Sequence, residues 1–392
     1  MSVNYKKLGE IVKLIDERNK DEKVQTLIGV SIEKCFIKSV ANTIGTDLSK
    51  YQIIRKNDFA CSLMQVSRDG KIPIACLKDY DEAIMSPAYY IFRIKNTDEV
   101  LPDYLSMWFM RSEFDREAAY IAVGGVRGSM PWEDFCNMEL PIPDIKEQQK
   151  IVDAYNSITK RIKIKQKINE NLEKTAQCLF DKNFKEYNKF YEKEDLKTLP
   201  ADWKYAIVGD FCKDNIKSIS SSNELKEILY LDTGSITNNK IDDLQTISER
   251  DGFPSRAKRM IYDNDIVFST VRPNLRHFGI IRKPAKNMIV STGFSVLHNN
   301  SDRVSNEFLY MWITNDATLS FLQSIAENSV STYPSINADD IMNIKIIIPT
   351  DNILSELNEV FRKTFLMIDY NNQEITKMQE LKQLVISRIS GM

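Results

Sequence analysis

The hydrophobic positions of this chain spell out one design twice. Over residues 146–184 apolar side chains recur in a 4-3 spacing at Ile151, Tyr155, Ile158, Ile162, Leu172, Ala176 and Leu179, with Lys165 and Asn169 at the two intervening seam positions. Over residues 352–392 the spacing returns at Leu354, Leu357, Phe361, Ile368, Ile375, Met378, Val385 and Ile389, with Thr364, Asn371 and Lys382 in the seam. Such periodicity marks the seam of a coiled coil and not a strand. Asp144 followed by Glu147 has the capping-box spacing that satisfies free amides at a helix start, so the first helix is predicted to begin there. At 1.5 Å per residue it would extend roughly 57 Å, longer than a compact core requires. The segments before each helix, residues 1–145 and 201–351, read as strand-like and turn-like, and a stretch rich in Lys, Glu and Tyr at 185–200 joins the halves.

Self-similarity confirms the duplication at the level of single residues. Leu8-Gly9-Glu10 answers to Val208-Gly209-Asp210, and Ile54, Asn57, Asp58 and Ser62 answer to Ile261, Asn264, Asp265 and Ser269. Tyr104-Leu105 with Met107-Trp108 matches Phe308-Leu309 with Met311-Trp312, and Pro131, Asp134, Asn137 and Pro143 match Pro334, Asp340, Asn343 and Pro349. The offset stays between 200 residues (Leu8 to Val208) and 207 (Asn57 to Asn264), a drift that loop insertions explain. A fixed long period kept in order is the signature of an internal repeat. The predicted fold is therefore α+β: two tandem α/β domains and two long helices with pseudo-two-fold symmetry. Antiparallel pairing of the helices would place the globular parts at opposite ends and let the polar seam residues fix register. The periodicity also permits each helix to fold back on its own globular part.

Composition narrows the chemistry. Hydrophobic residues at 43% and charged residues at 28% describe an ordinary globular protein. Residues 1–22 are charged throughout and lack the pattern of a signal peptide, and no apolar run approaches the roughly 20 residues that cross a bilayer; a cytoplasmic protein is expected. Six cysteines without a C-x-x-C pair and only two histidines, His277 and His298, are poor material for zinc or disulfides, so the thiols are expected to be reduced packing residues. Neither G-x-x-x-x-G-K-[ST] nor G-x-G-x-x-G occurs. Ser86-Pro87-Ala88-Tyr89 approaches the active-site tetrapeptide of amino-methyltransferases but lacks its second proline, and its counterpart Ser291-Thr292-Gly293-Phe294 has neither. This shared element is expected to be a buried strand, and no bound cofactor, metal or catalytic residue is expected in the chain.

Local charge points to nucleic acid even though the net charge is -2. Residues 255–286 carry Arg256, Lys258, Arg259, Arg272, Arg276, Arg282, Lys283 and Lys286 against only Asp263 and Asp265. Within them Ser269, Thr270, Arg272, Asn274 and Arg276 form one turn-bearing loop whose groups match base edges and phosphates: Arg bonds guanine twice, Asn bonds adenine, and hydroxyls bond either. The first-half equivalent is residues 62–71, with Ser62, Gln65, Ser67, Arg68 and Lys71. A second polar loop also recurs, with Arg127 and Ser129 in one half and Ser331, Thr332 and Tyr333 in the other. A further cationic group, Lys160, Arg161, Lys163, Lys165 and Lys167, lies on the first long helix, where solvated lysines are ordinary.

Leu140-Pro141-Ile142-Pro143, followed by Glu147-Gln148 and a long amphipathic helix, resembles the conserved region of the specificity subunits of type I restriction-modification systems, and Gly128-Ser129 with Pro131 and Asp134 is similar to the family's lead-in. The resemblance covers essentially the whole chain, in the order recognition domain, helix, recognition domain, helix. In the second half Ile346-Ile347-Ile348-Pro349 keeps the strand, but Ile353-Leu354 stands where the family has Glu-Gln. The resemblance implies a non-catalytic subunit that recognises a bipartite target in double-stranded DNA. It also implies two methyltransferase subunits that use S-adenosylmethionine and, optionally, two restriction subunits that use ATP and magnesium. A self-sufficient methyltransferase or nuclease, and a protein-only scaffold, are the competing readings.

Overall fold

A computed structural model describes residues 4–39, 46–125, 128–187, 198–219, 225–329 and 334–389. The chain forms two compact units, one of residues 1–165 with 373–392 and one of residues 166–372.

The first unit runs β1 (Asn4–Lys7), α1 (Leu8–Ile11), β2 (Val12–Ile15), β3 (Ile28–Val30), β4 (Phe36–Lys38), β5 (Gln52–Arg55), β6 (Phe59–Cys61), α2 (Val66–Asp69), β7 (Ile74–Cys76), β8 (Glu82–Met85), β9 (Tyr90–Ile94), α3 (Pro102–Phe109), α4 (Ser112–Ile121), α5 (Trp132–Asn137), β10 (Glu139–Ile142) and the start of α6 (Ile145–Phe184). The second runs β11 (Lys204–Ile207), β12 (Cys212–Asp214), β13 (Glu227–Leu231), β14 (Ile236–Thr237), β15 (Lys240–Ile241), β16 (Gln245–Ser248), β17 (Ala257–Met260), β18 (Asp265–Ser269), β19 (Phe278–Ile281), β20 (Met288–Ser291), β21 (Phe294–Asn299), α7 (Asn306–Thr314), α8 (Asp316–Glu327), α9 (Ala338–Met342), β22 (Lys345–Ile348) and the start of α10 (Asp351–Arg388).

The duplication holds in the order of the paired strands, apart from the additional hairpin β14-β15 of the second unit. β1 pairs antiparallel with β10 as β11 does with β22, so in each unit the first strand closes on the strand before the long helix. The antiparallel sheet β2-β9-β6-β7 has its counterpart in β12-β21-β18-β19. The second sheet is complete only in the second unit, as β16-β13-β20-β17 with β13 and β20 parallel. In the first unit the same order is reduced to the pairs β4-β3 and β8-β5, joined through a parallel bridge between Leu27 and Ile84. The repeated Asn-Asp is a turn: Asn57 and Asn264 take left-handed φ of 69° and 66°, which Asn tolerates better than most residues. Asp58 and Asp265 then accept the amides of Arg55 and Tyr262 at 3.0 and 2.7 Å.

The Ser86–Tyr89 element is not the buried strand that its repetition suggested. It is the exposed turn between β8 and β9, and only its second-half counterpart ends and begins strands, at Ser291 and Phe294. In both halves the central pair, Pro87-Ala88 and Thr292-Gly293, is the turn between two consecutive strands, and Pro87, with no amide to give a ladder, suits that place.

Each unit builds its core on a tryptophan of the helix after the main sheet. In the first, Trp108 packs among Phe109, Phe114 and Phe135, together with Ile151 and Val152 of α6, Ile386 of α10 and Ile389 just after it. In the second, Trp312 lies 5.0 Å from the rings of Phe180 and Phe184 of α6, and Leu354, Leu357 and Phe361 of α10 share the cluster. The two packings weighed from the periodicity are thus combined, since the helices pair with each other and their ends enter the cores. Their pairing is antiparallel: within the first unit Lys165 meets Glu374 while Tyr155 meets Lys382, whose Nζ lies 4.5 Å from the ring centroid. Within the second, buried Asn169 and Asn371 meet in the seam, with Asn371 Nδ2 donating to Asn169 Oδ1 at 2.7 Å and Asn169 Nδ2 donating to Asn372 Oδ1 at 2.9 Å. A polar pair satisfied only in one alignment penalises every other register.

The predicted helix cap forms, with Asp144 Oδ1 accepting the Glu147 amide at 3.0 Å. Gln148 is fully buried; its Oε1 accepts the Leu101 amide at 2.9 Å and its Nε2 donates to the carbonyls of Glu99 and Pro143. Leu354 takes the place of Gln148 in the second helix, and Asn358, about one turn later, restores the tie by accepting the Ser305 amide at 3.1 Å and donating to the Arg303 carbonyl at 2.8 Å.

Candidate nucleic-acid interface

The two predicted loops share a backbone device. In the first unit Gln65 adopts φ of 62°, the single turn α2 follows, and Gly70 closes it at 64°. In the second Arg272 adopts 49°, a 3-10 turn over Pro273–Leu275 follows, and Arg276 closes it at 59°. A left-handed residue at each end of one helical turn makes a short outward step, and such conformations in residues other than glycine persist only where the surroundings enforce them. The enforcing residue is apolar and buried in both, Val66 in one and Pro273 in the other. The positions after it, Ser67 and Arg68 or Asn274 and Leu275, are left exposed.

The second polar loop lies against the first in both units. Met130 donates its amide to the Leu63 carbonyl at 2.9 Å, and Ile336 donates to the Thr270 carbonyl at 2.8 Å. Arg272 donates its amide to the Pro334 carbonyl at 3.0 Å, and Val271 bridges to Ser335. Gly128 has φ of 73°, which favours glycine, and a Cβ there would stand 2.3 Å from Ser67 Oγ, so a larger residue would be strained and would displace the Ser67 side chain. Ser129 is half-buried beside it. Arg127, Ser331, Thr332 and Tyr333 lie outside the described residues.

The predicted residues differ in what they have left to offer. Gln65, Ser67, Arg68, Lys71, Arg272 and Asn274 are exposed, although Arg68 also reaches Asp69 at 2.8 Å and Lys71 reaches Glu33 at 3.7 Å. Ser62 is half-buried. Ser269 is buried and donates its hydroxyl to the Val271 carbonyl at 3.1 Å, while Thr270 donates to the Gly293 carbonyl at 3.0 Å. Arg276 is half-exposed and pairs with Asp316 at 2.6 Å. The basic stretch around them is less cationic at the surface than in the sequence: Arg282 is buried against Glu307 at 2.6 Å, with side-chain exposures of 10% and 5%. Arg256 and Lys258 remain exposed, and the Arg256 backbone carbonyl accepts the Thr292 amide next to the Gly293 carbonyl that anchors Thr270. On α6, Lys165 is engaged with Glu374 and Lys167 with Glu170.

One feature of the interface was missed from the sequence. Ser62 and Met64, which is 58% exposed, line a cleft of about 350 Å³ with Gly29, Tyr51, Ser86 and Tyr89. The neighbouring serines gave no signal for it, because Tyr51 and Tyr89 reach it from separate segments, just before β5 and just before β9. Burial pushes the thiols of Cys76 and Cys212 up to about 12, which leaves them protonated and unreactive. Among the described residues no three of His, Cys, Asp and Glu gather where they could hold a metal ion, and no helix is long and apolar enough to cross a membrane.

Comparison with known proteins agrees with this duplicated arrangement. The type I restriction modification DNA specificity domain matches twice, over residues 2–174 and 200–384. The chain belongs to this specificity-domain family. It is 26% identical over 183 residues to the type I restriction enzyme HindI specificity subunit of Haemophilus influenzae, a match covering 47% of this chain and 39% of that protein. Against the MjaIX specificity subunit of Methanocaldococcus jannaschii it is 24% identical over 325 residues, covering 79% of this chain and 69% of that one. The crystal structure of a type I restriction-modification S subunit from M. genitalium shares the fold, with a TM-score of 0.61 at 12% identity, covering 99% of this chain and 96% of that one. The first of these sequence relatives is thus matched over only about two fifths of its length. The family also accounts for the run Leu140-Pro141-Ile142-Pro143, which is β10 and the turn into α6.

Proposed function

We propose that this chain is the sequence-reading, non-catalytic subunit of a type I restriction-modification enzyme. Residues 1–145 and 201–351 would each read one half of a split target in double-stranded DNA, and the helices 146–184 and 352–392 would set the two halves apart. The observation that carries the reading is the pair of loops made in the same way twice, each presenting Arg with Ser, Gln or Asn on an exposed turn. Arg68 with Ser67 and Gln65 in the first unit, and Arg272 with Asn274 in the second, are the groups that would meet base edges, since the paired donors of Arg match the two acceptors of guanine, and the donor and acceptor of Asn match adenine. Ser269 and Thr270 would act by shaping the loop. Lys71 suits phosphates better than bases, because a point charge carries little sequence information, and Arg276, whose guanidinium pairs with Asp316, would close the turn.

The partners follow from membership of the specificity-domain family. Two methyltransferase subunits would bring S-adenosylmethionine and modify adenines, and two restriction subunits, where present, would bring ATP and magnesium. The assembly would work in the cytoplasm, where its DNA is. Methylated adenines mapped in cells with and without the gene test this directly: a split motif that disappears with the gene supports the reading, and an unchanged map defeats it. Methyl transfer or magnesium-dependent cleavage by the purified chain alone would favour a self-sufficient enzyme. DNA binding that is absent at every salt concentration would favour a protein-only scaffold.

A further inference from the structure

Behind each reading loop a helix supplies side-chain oxygens that hold the loop's backbone or its closing arginine. In the first unit that helix is α4. Its Asp115 accepts the amide of Ile72, the residue after Lys71, at 3.2 Å, and accepts Lys34 Nζ at 2.7 Å on the same oxygen. Lys34 sits between β3 and β4, also donates to the Phe109 carbonyl, and lies 5.0 Å from the Phe114 ring centroid. The side chains of Lys34 and Asp115 are only 9% and 12% exposed, and burial holds the Lys34 ammonium below the usual lysine range. A buried ion pair is an inefficient source of stability, because desolvation offsets most of the attraction; what it supplies is a fixed geometry among three separate segments. In the second unit the helix is α8, where Gln323 Oε1 accepts the Asn274 amide at 3.2 Å and Asp316 holds Arg276.

We propose that Asp115 with Lys34, and Gln323 with Asp316, are positioning residues that set the reading loops at the depth and angle needed for base recognition. The proposal rests on the reading of these loops as DNA contacts. α4 and α8 do the same work with different side chains, so the backing can change together with the loop it supports, and a change on either helix alters discrimination at one half-site only.

The test uses the full chain assembled with its methyltransferase partner, and reads methylation rates on duplexes carrying the mapped target or single-base changes in either half. Asp115→Ala is expected to lower discrimination about tenfold in the first half, comparable to losing one base contact, with the second half unchanged. Gln323→Ala, at a half-buried position on α8, is expected to lower it about threefold in the second half alone. The double variant Lys34→Met/Asp115→Asn removes both charges but keeps an acceptor for the Ile72 amide, and is expected to keep discrimination within about twofold of the parent, as a satisfied neutral pair should. Asp115→Ala and Gln323→Ala that leave discrimination unchanged, or that lower it equally at both halves, would overturn the proposal, and Gln323→Ala decides it even where Asp115→Ala does not fold. Arg68→Ala measured alongside separates the two levels. If it leaves the first half untouched, the loop assignment itself fails; if it relaxes that half while Asp115→Ala and Gln323→Ala do not, only the positioning role fails.

Discussion

The two units solve the same structural problems with different residues. Where Lys78 and Asp103 form an ion pair in the first unit at 2.9 Å, with side chains 39% and 48% exposed, Arg282 and Glu307 form the matching pair in the second at 2.6 Å, nearly closed to water. Where Gln148 ties the start of α6 to the loop before α3, Asn358 ties α10 to the loop before α7 from about one turn further along. One reading turn is helical and closed by Gly70; the other is a 3-10 turn closed by Arg276. What the duplication preserves is the set of backbone bonds that bring two polar loops together, and what it varies is the side chains that secure them. A protein that must present a new surface while keeping its frame is expected to vary in this way, because function sits on sites carried by a fold.

The strongest way to break the comparison is at the cores. Trp108→Ala and Trp312→Ala should each cost about 3–5 kcal/mol in denaturant unfolding, as large buried aromatics do. Losses that differ by more than half would mean that the two cores are not equivalent. The ion pairs should separate the units instead. Glu307→Ala leaves Arg282 buried without its carboxylate and should cost about 3–5 kcal/mol, whereas Asp103→Ala removes an exposed pair and should cost less than about 1 kcal/mol. Equal costs would show that burial does not distinguish them. A smaller effect is expected at the ties to the long helices. Gln148→Ala strands a buried amide and should cost about 1–3 kcal/mol, with Asn358→Ala, nearer the surface, at or below the lower end. Amide hydrogen exchange at Leu101 and Ser305 would show whether each tie is local, since only the matching amide should lose protection.

Much of this was legible in the sequence. The seam was readable because its spacing is local, and even the polar positions Asn169 and Asn371 could be placed in it before anything showed that they meet. The repeat was readable because turn chemistry is conserved at Asn57-Asp58 and Asn264-Asp265. Side-chain partnerships between distant segments were not. Arg282 counted as surface charge because Glu307, which buries it, lies in another element, and nothing near Ile72 announced that Asp115 would hold its amide. The Ser86 element was misread because a repeat shows that two segments correspond without showing whether they are strand or turn. The reading loops fell between these cases: their polar composition was visible, but their inward hydroxyls at Ser269 and Thr270 were not.

The central claim is that each unit reads one half of a split target through its own exposed turn. Genome-wide mapping of methylated adenines in cells expressing the parent chain, Arg68→Ala or Arg272→Ala tests it most directly. The parent should give two short specified blocks around an unspecified spacer. Arg68→Ala should relax one block and Arg272→Ala the other, each at a cost of about 1–3 kcal/mol per base contact. A single continuous motif, or two variants that weaken both blocks equally, would contradict the account.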